Sequence, residues 1–178
     1  MKLADAIRNF DGKHIEPLEA VASELLTDEG GVDALLVLSH SDDVKTQTAA
    51  TWILKWLYEQ QVTFTKPQTQ EVLRLLREVT SWVAKLHLLQ ILDGLVIPPR
   101  NGNGLRKTLD LHVSDENKLL RAWAYNGLFV LGDQISRFRE DVAALLSQAE
   151  DDPAASVRAR VRQIRKASRW VNDCLTNR

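Results

Sequence analysis

Apolar residues recur along the chain at spacings of three and four, the mark of helices with one buried face, and no stretch sustains the strict alternation of a half-buried strand. The breaks are few: 8 Gly and 5 Pro, gathered at Gly30-Gly31, Pro67, Pro98-Pro99 with Gly102 and Gly104, and Pro153. The pattern predicts helices over about 3–10, 16–27, 31–40, 43–61, 67–78, 80–96, 103–113, 115–131, 137–149 and 154–175. Ser41-Asp42-Asp43 and Ser114-Asp115-Glu116 offer side-chain oxygens to the unpaired amides of two first turns. Thr65 with Pro67, and Asp152-Pro153, mark two further starts.

A shorter helix, a polar turn and a longer helix recur, so the chain has an internal period. Val44-Lys45 of SDDVKTQTAATWIL, Leu120-Arg121 of SDENKLLRAWAYNGLFVL and Val157-Arg158 of DDPAASVRARVRQI align as acidic turn, apolar residue and basic residue. Trp82-Val83, opening WVAKLHLLQILDGL, stands between the first two, so the steps are 38, 38 and 37 residues. A single helix pair cannot bury its own apolar face; stacked pairs share a core.

The acidic turn, the Val/Leu-Arg/Lys step and the mixed apolar run that follows resemble HEAT-type repeats, relatives of armadillo repeats, over about residues 31–170. The second copy departs from the pattern, with no acidic turn and with Val83 at the basic position. The resemblance implies an all-α fold: a right-handed superhelix, or solenoid, of about four antiparallel helix pairs. The pairs would occupy about 31–61, 67–97, 103–132 and 137–175, behind a helical cap at 1–30, all within a single domain of 1–178. It also implies a scaffold that grips macromolecules on a concave face. The Trp-x-x-x-Asn ladder of the armadillo subgroup is missing, since Trp52, Trp82 and Trp123 are followed four residues later by Trp56, Leu86 and Gly127.

Composition narrows the reading. With 178 residues, 44% of them hydrophobic, the chain has enough apolar material for a core, and a formal net charge of -1 argues against a surface built wholly for nucleic acid. That balance is uneven: residues 1–99 carry 9 basic and 14 acidic side chains, residues 100–178 carry 14 and 10. No apolar run approaches the roughly 20 residues of a membrane helix, and the first residues lack a secretory h-region. With one cysteine, Cys174, the expectation is a cytoplasmic protein without membrane contact.

Signals for catalysis, metal or cofactor are thin. His14, His40, His87 and His112 form no His-x-x-x-His pair, and none is followed by an acidic residue, which counts against the di-iron hydroxylases built on similar repeats. Asn101-Gly102-Asn103-Gly104 lacks the Lys-Ser/Thr of a phosphate loop, and no Gly-x-Ser-x-Gly elbow occurs. The expectation is no metal, no small-molecule cofactor and no enzyme.

The candidate binding residues fall in two sets. On the last predicted helix Arg158, Arg162, Arg165 and Arg169 form a stripe about 16 Å long beside a packing face of Val157, Val161, Ile164, Ser168, Val171 and Leu175, with Arg160 and Lys166 widening it. The competing reading is a solvated helix whose cations pair with Glu150, Asp151 and Asp152. The second set comes from stacking the repeats, which places Lys45, Trp52, Trp56, His87, Arg121 and Tyr125 on the concave face. Its competitors are structural. Lys45, Arg121 and Arg158 can bond the acidic turns at Asp43, Asp115 and Asp152, His87 can be a hydrogen-bonded core residue, and Trp123 falls among core positions Leu120, Gly127 and Val130. The function expected is a non-catalytic module or scaffold holding a protein partner. One alternative is nucleic-acid binding, in its strongest form a relative of HEAT-like DNA glycosylases using Asp93 with Trp82 or Trp52. Another is a structural subunit of a larger assembly.

Overall fold

The computed structural model describes residues 3–28 and 30–176, and over them the chain is all-helical, as the apolar spacing predicts. It groups into two compact units, residues 1–95 and 96–178. None of the helices described is long and apolar enough to cross a membrane.

The first unit holds α1 (Leu3–Arg8), α2 (Glu16–Leu25), α3 (Gly31–Leu38), α4 (Val44–Glu59), α5 (Lys66–Glu78) and α6 (Trp82–Gln90). Helix α4 is its centre, packed against α1, α2, α3 and α6. Its Ala49, Ala50, Ile53, Leu54 and Leu57 are fully buried, and each large one contributes roughly 1.5–3 kcal/mol of apolar burial. Starts are fixed by caps: Asp43 accepts from the Thr46 amide, Ser81 from the Ala84 amide, and Thr65 and Gln68 form a capping box. The second unit holds α7 (Gly102–His112), α8 (Lys118–Gln134), α9 (Arg139–Gln148), α10 (Ala155–Ala167) and α11 (Arg169–Thr176). Here α8 is the hub for α7, α9 and α10, and α11 rests on α9 and α10.

Two expected helices end early. The one predicted over 80–96 stops at Gln90 and tightens into a 3-10 turn, Leu92–Gly94. Gly94 is required there because the Tyr58 ring covers it; an added Cβ would overlap Tyr58 Cε2. The helix predicted over 154–175 is two helices, broken at Ser168, whose φ of -126° and ψ of 121° are extended. Asn172 holds the break, donating to the carbonyls of Arg165 and Ser168 at 3.1 and 3.2 Å and accepting from Arg165 Nε at 3.1 Å. Trp170 fixes the second piece, stacked on Phe129 at 5.8 Å with its Nε1–H donated to Asp133 at 3.0 Å.

Candidate functional site

Helices α4, α6, α8 and α10 follow N-caps at Asp43, Ser81, Asn117 and Ala154, in steps of 38, 36 and 37 residues. Four residues after a cap stand Gln47, Lys85, Arg121 and Arg158. Three of these grip the turn behind them at a carbonyl six residues back: Gln47 donates to Ser41 O at 2.8 Å, Arg121 to Asp115 O at 2.8 Å and Arg158 to Asp152 O at 2.6 Å. Two also hold the turn that follows. Gln47 Oε1 accepts from the Thr80 and Ser81 amides, both at 3.1 Å, and Arg121 gives a forked bond to the Asp152 carboxylate at 3.0 and 3.1 Å. Burial opposes ionisation of Asp152, yet the bonds from Arg121 and the Ala154 amide outweigh it and leave its carboxyl below the ordinary range.

These bonds give Gln47, rather than Lys45, the same role as Arg121 and Arg158. Lys45 lies two positions before Gln47. Asp43 is itself the cap of α4, whereas Asp115 accepts from the Asn117 amide at 2.8 Å and Asn117 caps α8. Aligning the acidic residues pairs Lys45 with Arg121, whereas aligning the caps pairs Gln47 with it. Arg121 is a half-buried brace, not an open contact.

The cationic stripe is likewise broken up. Arg158 is spent on the carbonyls of Asp152 and Pro153, and Arg165 on Glu150 and Asn172. Arg169 belongs to α11, beyond the break. Arg162 and Lys166 remain on the solvent face of α10, exposed and with no side-chain partner among the described residues. Arg160 lies on the other flank with its guanidinium 4.0 Å from the Trp123 ring centroid, so Trp123 is a half-buried platform and not core.

Two of the expected concave-face residues are buried. His87 is packed between α4 and α6; the Thr51 hydroxyl donates to Gln47 O at 2.8 Å, so His87 Nδ1–H donates to Thr51 Oγ1 at 3.1 Å. Burial, and secondarily Lys55, pushes its pKa down to about 4, so the ring is neutral. Tyr125 is also buried, and that burial, with Asp152 adding to it, raises its pKa. Trp52 and Trp56 are half-buried on α4. Asp93 accepts from the Tyr58 hydroxyl at 2.8 Å at one end of α6 while Trp82 stands at the other, about 16 Å away along the axis, so those two do not form an acid–aromatic pocket.

What comes together instead is a cleft between the starts of α4 and α6. Phe10, Val44, Lys45, Thr48, Trp82 and Val83 line a volume of about 370 Å³. Trp82 is 49% exposed and Val44 51%, while Phe10 is buried. Thr48 Oγ1 and Ser81 Oγ, 2.9 Å apart, tie the two helix starts together below it. Lys45 is exposed at its rim and makes no side-chain hydrogen bond or ion pair among the described residues. The signal in the sequence is the Ser81-Trp82 step: a tryptophan on the first residue after a cap has no preceding turn to fold onto. Comparison with protein-family models, with curated proteins and with solved structures finds nothing that matches the chain.

Proposed function

We propose that the chain is a non-catalytic binding module of HEAT-like, solenoid-type repeats that holds a protein partner through the Trp82 cleft. The repeat reading is supported by the near-constant cap spacing and by side-chain bonds that span about one period: Gln68 to Asp33, Thr51 with His87, Tyr58 to Asp93, Ile97 to Gln134 and Trp170 to Asp133. The binding reading is carried by one observation, the half-exposed Trp82 beside exposed Val44 in an apolar cleft with Lys45 at its edge. Such an aromatic anchor with a cation at the rim fits a short segment that offers a large apolar side chain and a nearby carboxylate.

A non-catalytic role is supported by the uses found for the imidazoles. His14 pairs with Asp11, His40 with Glu71 and Glu78, His87 with Thr51, and His112 lies 3.7 Å from Asp115. The nucleic-acid alternative draws less support, because Arg121, Arg158 and Arg165 are held by the protein itself. Selection from a displayed random-peptide library tests the proposal. Enriched peptides are expected to pair a large apolar residue with Asp or Glu a few positions away. Trp82→Ala should lower their affinity about tenfold or more and Lys45→Glu by a smaller factor. Absence of enrichment, or equal binding by both variants, rejects the reading.

A further inference from the structure

Helix α2 buries Leu18, Val21 and Ala22 and turns Glu16, Glu19, Ala20 and Ser23 to solvent. Its length, 10 residues, makes a face about 15 Å long. Helix α10 buries Val157, Val161 and Ile164, and its outward face carries Ala155, Arg162 and Lys166. Glu16, Glu19, Arg162 and Lys166 make no ion pair or side-chain hydrogen bond among the described residues, and Glu16 meets His14 only at longer range. Each face sets two like charges beside small side chains, which lets two helix backbones approach while the charges of one meet those of the other. The surroundings reinforce the signs, since the unit that contains α2 has 9 basic against 14 acidic residues and the unit that contains α10 has 14 against 10.

We infer that the α2 face of one chain docks on the α10 face of a second copy, independently of the Trp82 cleft. The two faces differ, so the contact is head-to-tail: it leaves one α2 and one α10 unused at the ends and builds a ring where the rotation closes, a filament where it does not. Exposed ion pairs of this kind are individually weak and strongly screened. The association is accordingly expected at high protein concentration and low salt.

Sedimentation velocity over a wide concentration range, at about 50 mM and about 500 mM salt, reads this directly. The expected result is a sedimentation coefficient that rises with concentration at low salt and not at high salt. The double reversal Arg162→Glu, Lys166→Glu should weaken association about tenfold or more, and adding Glu16→Lys and Glu19→Lys to the same chain should restore it. All four residues are on the surface, and circular dichroism checks that the helices persist. A single species at every concentration in low salt overturns the inference. So does association that the double reversal leaves unchanged, or that the fourfold variant fails to recover while still folded.

Discussion

His87 shows how much one buried ring can decide. Its pKa falls from an unfolded value near 6.5 to about 4 because burial disfavours the imidazolium, with Lys55 adding to it. The unfolded chain therefore binds more protons than the folded one between those values, and stability rises with pH across that window. The contribution is fully present above about pH 6.5 and is lost as pH drops through 4, on the order of 3 kcal/mol in all. Urea unfolding of wild type and His87→Gln at pH values spanning that window checks it: the wild type should lose stability steeply, and the variant should lose markedly less. The sequence offered two readings of His87, a concave-face contact and a hydrogen-bonded core residue, and its burial agrees with the second. That Thr51 would be its partner was not legible, because the pairing joins residues 36 apart on different helices.

Among the elements, existence was legible and interruption was not. A run such as Ile53, Leu54 and Leu57 states its own helix, since the buried face repeats at 3.6 whatever the neighbours do. The bend at Ser168 hides from the same reasoning. Ile164, Ser168 and Val171 are all buried and keep helical spacing straight through it, so the apolar pattern carries no trace of a break that Asn172 and Trp170 impose by hydrogen bonding and stacking. Asn172→Ala removes all three bonds that hold the bend. The expected outcome is faster amide hydrogen exchange in α11, by about tenfold, with the core of α8 unaffected. Equal protection in the variant would mean that Trp170 alone is sufficient. The shared role of Gln47, Arg121 and Arg158 was hidden for a similar reason: Asp43 caps its helix itself, whereas Asp115 stands before the cap Asn117, and only cap geometry tells the two apart.

On the scale of the molecule, a net charge of -1 conceals two units of opposite sign, and no charged residue lies between 96 and 99 to blur the boundary. The cations count differently once their partners are known. The sequence offers six on the last helical stretch, but only Arg162, Lys166 and Arg169 have exposed side chains there with no partner among the described residues. Titrating duplex DNA against salt measures this difference. Three phosphate contacts correspond to a log–log slope of about -3, whereas all six cations would give about -5. A slope at the steeper value would show that the turn-bound arginines can be released to a ligand, and would raise nucleic acid above protein as the partner class.

The bonds from Gln47, Arg121 and Arg158 also act as a ruler. Each side chain reaches from the first turn of its helix back to a carbonyl six residues behind it, in the turn before the cap. One residue added between the cap and the donor rotates the donor by about 100° around the helix and lifts it off its acceptor, and one added in the turn moves the acceptor away. Surface turns ordinarily absorb small insertions with ease, but these three are counted. A one-residue insertion in any of these three intervals is therefore expected to cost more stability than one in a turn that carries no such bond.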